Sequence, residues 1–234
     1  MIDTAMVLAA GLGTRFRDVS GDLPKPLVPV AGRALIDWSL DLLAAGGVAR
    51  AVVNIHYKAD QMEAHLAGVS RPEIVISDER DQLMETGGGL VQASAFLGDG
   101  PVFCTNTDAI LSHQDGEPVT ALREAWDDTE MDALLLLVPV EMTSGYDGEG
   151  DFHLETDGRL SWEGAGRKHV FTGLQIIHPR LWATEPQKPK STRLFWERAM
   201  AEGRLYGLVH HGRWMHVGDP EGYAAATRLL ERAE

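Results

Sequence analysis

Ala5-Met6-Val7-Leu8-Ala9-Ala10-Gly11-Leu12-Gly13-Thr14-Arg15 is the stretch on which the reading of this chain turns. The apolar run Ala5 to Ala10 predicts a short buried strand. It breaks at Gly11, and the next residues suit a loop rather than a helix. Glycines at 11 and 13 let the backbone turn tightly and come close to a ligand. Arg15 comes next, and Pro24-Lys25-Pro26-Leu27 brings a second cation ten residues further on. Two cations beside free backbone N–H donors form a cradle for phosphate oxygens. The expectation is a nucleotide-triphosphate loop in which Ala10, Gly11, Gly13 and Thr14 touch the nucleotide and Arg15 and Lys25 are the catalytic cations. Neither common phosphate motif fits. The Walker ending Gly-Lys-Ser/Thr is absent, and the dinucleotide fingerprint needs three spaced glycines where two stand.

Downstream, the chain keeps a strand–helix rhythm. Strands are expected over 4–10, 51–55, 73–76, 101–105 and 133–140, and helices over 34–45, 60–66, 90–97 and 117–126. The 34–45 helix has its stop at Gly46-Gly47. Alternation of this kind predicts parallel strands with right-handed crossovers. After 140 the pattern changes to a polar glycine-rich loop (145–150), a short hairpin around Thr156-Asp157-Gly158, and a strand over 170–177. A helix over 191–201, two closing strands (206–210 and 214–217) and a helix over 220–232 with proline in its first turn complete the set. The fold class is α/β: a Rossmann-like three-layer sandwich with a mostly parallel mixed sheet and a small β-rich acceptor-side subregion. We expect one domain over 1–234, with 1–140 mainly nucleotide-binding and 141–234 mainly acceptor-binding.

Composition excludes several classes. The formal charge of −14 and the lack of any long basic run argue against nucleic acid as a partner. No apolar run approaches the ~20 residues of a membrane span, so no membrane partner is expected. Asp3 near the start does not suit a secretory signal. The single cysteine, Cys104, fits a reducing cytoplasm. An acidic protein with anionic substrates needs a local reversal of field in its pocket, from Arg15, Lys25 and a divalent cation.

Two further segments carry chemistry. Glu85-Thr86-Gly87-Gly88-Gly89 precedes a helical stretch. Consecutive glycines make sense where backbone approaches a flat ligand or where helix amides face an anion, and a flexible loop is the bland alternative. Asn106-Thr107-Asp108 ends the fourth strand, at the carboxyl edge where open α/β sheets bind ligands. Asp108 offers the hard oxygen that Mg²⁺ prefers; a turn cap is its bland alternative.

LAAGLGTR…PKPLVPVAGRALIDW resembles the N-terminal signature of the sugar-phosphate nucleotidyltransferases, also called nucleoside-diphosphate-sugar pyrophosphorylases. Within that family the chain looks most like the short bacterial N-acetylmuramate-1-phosphate uridylyltransferases. The resemblance implies that an NTP and a sugar 1-phosphate are joined with loss of pyrophosphate. UTP with N-acetylmuramic acid 1-phosphate in cell-wall recycling is the preferred pair. Hexose or heptose 1-phosphates, choline phosphate, or a catalytically weak sensor stand as alternatives. It also implies that Glu85, Gly87 and Gly88 lie against the base, and that Asn106, Gly150, Thr172 and Gly173 meet the sugar phosphate. Lys168, just upstream, is either a contact for the acceptor phosphate or a solvated lysine. Trp214-Met215-His216-Val217-Gly218 aligns with the family pattern W-x-D-V-G, whose Asp is a second metal ligand. His216 therefore ligates a softer metal, contacts phosphate or water, or cedes its role to Asp219. The metal is expected to be Mg²⁺, with Mn²⁺ or Co²⁺ as the alternatives that an imidazole favours. Longer relatives carry a C-terminal β-helix domain that this sequence is expected to lack. The expected state is a cytoplasmic monomer or small homo-oligomer.

Overall fold

The computed structural model describes residues 1–112, 116–164 and 168–232. In chain order the elements are β1 (Thr4–Leu8), α1 (Arg17–Ser20), β2 (Pro29–Val30), β3 (Arg33–Ala34), α2 (Leu35–Ala45), β4 (Arg50–Ile55), α3 (Ala59–Leu66), β5 (Glu73–Asp78), α4 (Glu85–Gln92), α5 (Ser94–Leu97), β6 (Val102–Asn106), β7 (Ala109–Leu111) and α6 (Glu117–Ala125). They continue as β8 (Ala133–Pro139), β9 (Thr143–Ser144), β10 (Phe152–Leu154), β11 (Leu160–Ser161), β12 (Lys168–Ile177), α7 (Arg193–Ala201), β13 (Leu205–Val209), β14 (Trp214–His216) and α8 (Pro220–Glu231).

Nine of these strands form one mixed sheet whose main path runs β11-β10-β12-β6-β1-β4-β5, with β8 beside β12 and β13 beside β8. The β6-β1-β4-β5 part is parallel. β12 enters antiparallel between β6 and β8. Because β4 and β6 flank β1 on opposite sides, the sheet switches direction there. A crevice opens at the carboxyl ends of the strands at such a point.

The sandwich follows from side-chain alternation along each strand. Ala5 and Val7 point to one core together with Ile36 and Leu40 of α2, Met62 of α3 and Leu122 of α6. Met6 points to the other, with Leu90 of α4, Leu97 of α5 and Phe195 of α7. Fully buried side chains such as Phe103 and Phe195 each contribute roughly 1.5–3 kcal/mol. A third, smaller core joins Phe16, Val28, Val30 and Leu35 to Ile110, Met215, Val217 and Ala226 of α8. Cys104 is buried filler, and burial pushes its thiol up to about 12.

Several boundaries differ from the sequence reading. The first strand ends at Leu8, two residues short of Ala10, because the Ala9 and Ala10 amides turn away to the Asn54 side chain. The loop after it contains a 3-10 turn and the one-turn helix α1. The expected helix over 90–97 starts five residues earlier, at Glu85, and is broken into α4 and α5. The three glycines thus lie inside the first turns of a helix. β7 and β9, which flank β14 in a separate three-stranded sheet, add to the expected strands. Residues 113–115 and 165–167 lie outside the described residues, as does the end of the chain after Arg232.

Candidate active site

A cavity of about 330 Å³ opens where the switch point requires it. Ala10, Gly11, Gly13, Thr14, Arg15, Lys25, Glu85, Asn106 and Asp108 all line it, as do Thr86 and Gly218. Segments from the ends of β1 and β6, the start of α4 and the turn after β14 therefore converge on one space.

The loop after β1 is shaped by Gly13, which adopts φ +57°. A Cβ there would also fall 3.0 Å from the Lys25 Cβ. Both strain and crowding oppose any other residue. The result sets Lys25 beneath the loop, with Nζ 3.5 Å from Asp108 Oδ2 and 5.4 Å from the centre of the Phe16 ring. Only 14% of the Lys25 side chain is exposed. Burial lowers its pKa below the ordinary lysine value, the Asp108 carboxylate opposes that fall, and Arg15 adds to it. Arg15 is exposed. The two cations thus differ: one buried and fixed, one on the rim.

Asp108 is held by pairing of its neighbours. Its carbonyl accepts the Val217 N–H at 2.8 Å, and β7 pairs with β14 so that Ala109 lies opposite His216. Thr107 donates its hydroxyl to the Leu8 carbonyl at 3.1 Å, tying the end of β6 to the end of β1. The His216 ring stacks on Trp214 with 12° between planes, and its Nδ1 lies 3.3 Å from the Gly145 carbonyl. A carbonyl only accepts, so Nδ1 carries a proton, and in the neutral ring Nε2 then keeps a lone pair. The ring lies against Gly218, where an added Cβ would be 2.1 Å from Cε1.

Among the described residues no group of three or more His, Cys, Asp and Glu side chains converges as a closed metal cage. The donor chemistry nevertheless fits a divalent cation. Asp108 supplies one hard carboxylate at the cavity wall, and Mg²⁺ is commonly held by one or two carboxylates plus substrate phosphates.

Other expected residues lie elsewhere. Gly87 and Gly88 do not line the cavity. Their amides both donate to the Lys190 carbonyl, at 2.9 and 3.0 Å. A Cβ on Gly87 would strike the Ser191 backbone at 2.8 Å, and one on Gly88 the Lys188 carbonyl at the same distance. These glycines let the 188–191 segment lie directly on α4, while Glu85 and Thr86 face the cavity. Glu85 holds φ +60°, a left-handed conformation uncommon for a non-glycine residue. Thr172 is buried, and its hydroxyl donates to the Leu136 carbonyl at 3.0 Å. Gly173, at φ +94°, forms the bulge in β12 and presses against Asn106, so it meets the cavity only through Asn106. Gly150 packs on Lys168, and the adjacent Asp151 accepts the Phe171 N–H at 2.8 Å. Desolvation raises the Asp151 carboxyl, opposed by that bond and by the charge of Lys168.

Two buried residues near the site are ones that the sequence reading passes over. Asn54 accepts the Ala9 and Ala10 amides, and Glu79 pairs with Asn54. The available signal is one polar residue inside the apolar run Ala51-Val52-Val53-Asn54-Ile55. A buried polar group in such a run must find a partner.

The chain matches the family described as nucleotidyl transferase over residues 4–148. It is 47% identical to the N-acetylmuramate alpha-1-phosphate uridylyltransferase of Caulobacter vibrioides, over 98% of this chain and 97% of that one. It is 32% identical to the protein of the same name from Neisseria meningitidis serogroup B, over 92% of each. Among solved structures, HddC from Yersinia pseudotuberculosis superposes with a TM-score of 0.79 at 23% identity, covering 98% of this chain and all of that one. That likeness speaks to the fold.

Proposed function

The chain belongs to the nucleotidyl transferase family, and from there we propose that it transfers the uridylyl group of UTP to N-acetylmuramic acid 1-phosphate, releasing pyrophosphate. The near-full-length identity to two relatives of that name supports the substrate pair. The observation that carries the chemistry is the buried Lys25 beside Asp108, with Arg15 on the rim of the same cavity.

An oxygen of the sugar 1-phosphate attacks the α-phosphorus in line. A new P–O bond forms, the bond to the α,β-bridging oxygen breaks, and pyrophosphate leaves with its electron pair. The attacking oxygen is already anionic, so no general base is required. Catalysis reduces to positioning and charge stabilisation. Lys25 neutralises charge growing at the α-phosphate. Arg15 clamps the departing pyrophosphate. Glu85 and Thr86 border the base, and the glycines of the first loop bring backbone to the phosphates. Asp108 would hold the divalent cation, which supplies charge neutralisation on phosphate oxygens. Lys168 and the segment after Gly150 belong to the acceptor side of this reading. The reaction runs in the cytoplasm, and among the described residues no helix is long and apolar enough to cross a membrane.

Pyrophosphate release tests the proposal, with each nucleoside triphosphate set against a panel of sugar 1-phosphates. UTP with N-acetylmuramic acid 1-phosphate is expected to give the highest kcat/KM. A preference for another pair would overturn the substrate assignment, and no release with any pair would overturn the reaction. His216 bears on the metal. With Nδ1 turned to the Gly145 carbonyl, its free Nε2 suits a softer cation than a carboxylate does. Turnover supported by Mg²⁺, Mn²⁺ and Co²⁺ is expected to shift toward Mg²⁺ in His216→Asp; identical profiles would remove His216 from the metal site.

A further inference from the structure

A buried relay of hydrogen bonds that none of the assigned roles uses runs from Asn54, in the cavity wall, to Glu79 behind it. Asn54 and Glu79 are each 2% exposed. Asn54 Oδ1 accepts the Ala9 N–H at 2.7 Å and the Ala10 N–H at 3.3 Å. Its Nδ2 donates to Glu79 Oε1 at 2.8 Å, and Glu79 Oε2 accepts the Met84 N–H at 3.1 Å. The chain of bonds thus begins at the phosphate loop and ends one residue before Glu85, at the start of α4.

Its chemistry is specific. A carboxylate only accepts, so it can take two opposing donors at once and forces the Asn54 amide to turn its nitrogen inward. Asn54 Oδ1 must then face the loop. Gly89 is needed beside the pair, since a Cβ there would fall 3.0 Å from both Asn54 Nδ2 and Glu79 Oε1. Among the described residues no lysine or arginine pairs with Glu79. His56 is near, its Nδ1 2.6 Å from the Glu79 carbonyl oxygen. Burial raises the Glu79 carboxyl, and the Asn54 and Met84 bonds pull it back. A carboxylate kept in such a place calls for a role beyond packing.

We infer that Glu79, acting through Asn54, is a positioning residue that holds the triphosphate loop and the base-facing turn at a fixed separation, and so sets nucleotide affinity and base preference. The inference rests on the proposed nucleotide site being this cavity. Neither residue touches the reacting atoms in this reading.

A charge-conserving swap tests it. In Glu79→Gln the new amide must turn its nitrogen toward either Asn54 Nδ2 or the Met84 N–H, leaving donor against donor. In Asn54→Asp two carboxylate oxygens face each other. In the double variant Asn54→Asp/Glu79→Gln every bond returns, with only the middle one reversed. The amide introduced at position 79 donates to the carboxylate introduced at position 54 and still accepts the Met84 N–H. KM is measured separately for the triphosphate and for the acceptor, together with thermal unfolding and the ratio of kcat/KM for UTP over CTP. Each single variant is expected to raise the nucleotide KM about tenfold, as loss of one buried bond does. The UTP preference falls with it, and the acceptor KM stays within about twofold. The double variant is expected to bring the nucleotide KM back to within about threefold of the wild type, since the two changes compensate each other. Singles that lose thermal stability but keep the nucleotide KM would make the pair merely structural and overturn the inference. So would a double variant no better than the singles. If the singles do not fold, a folded double with the restored KM supports the relay, and a double that also fails to fold overturns it. Should the wild type use a triphosphate other than UTP, the substrate proposal fails on its own and the same KM comparison is made with that triphosphate.

Discussion

Lys25 is a cation held largely out of water, and its stability and its use pull in opposite directions. Burial weakens its hold on the proton, and Asp108 at 3.5 Å only partly restores it. Removing the ammonium removes its desolvation cost, and Asp108, 39% exposed, keeps its contact with water. Lys25→Met is therefore expected to keep or raise the melting temperature while lowering kcat by about 10²–10³, the usual loss when a preorganised charge partner is removed. Calorimetry and single-turnover kinetics on one preparation check both halves; a Tm that falls along with kcat would mean that Lys25 also holds the fold. Lys25 and Asp108 are legible in the sequence because their charge marks them against a glycine turn and an apolar strand. Glu79 is not. In the polar run Asp78-Glu79-Arg80-Asp81 it looks like any solvated residue, and only the third dimension turns it inward while Asp78 and Arg80 pair with each other outside.

At the level of elements, α4 has two surfaces, one toward the cavity at Glu85 and Thr86 and one toward the 188–191 segment at Gly87 and Gly88. In the sequence its glycines suggest room for a base; in the fold they make room for the chain at 188–191. That segment is clamped by Glu185, which takes Lys190 Nζ and Arg198 Nη2 at 2.5 Å each. Hydrogen bonds from those two cations hold the Glu185 carboxyl below the usual range. A lowered carboxyl contributes stability above its unfolded value of about 4.3, lost as pH falls through the lower folded value. Glu185→Gln is thus expected to reduce hydrogen-exchange protection of the Gly87 and Gly88 amides at pH 7, with the difference from wild type closing toward pH 3. Equal protection at pH 7 would show that the clamp does not reach α4. The long strands and helices are legible from period alone. β7 and β9, which flank the expected strand β14, are not, since strands of two or three residues carry no period and exist only through pairing between distant segments.

For the whole molecule, the cavity draws its walls from segments spread between Leu8 and Gly218, so a ligand there couples to global stability. At a concentration 100 times its Kd, UTP with a divalent cation is expected to add about 2.7 kcal/mol. For a chain of this size that raises the melting temperature by about 5–10 °C. A thermal-shift series over UTP concentration checks it, and a flat series would mean that UTP does not bind the folded chain. The same spread has a consequence for how the protein is made. The third core clasps Phe16, Val28 and Val30 with residues of β14 and α8, and the Tyr223 hydroxyl reaches the Pro29 carbonyl at 3.1 Å. On the ribosome, 195 residues separate Lys25 from Pro220. At ~5–20 residues per second that is roughly 10–40 s. For that interval the phosphate loop exists without the helix that backs it, so the contacts of the third core can close only after α8 has been made.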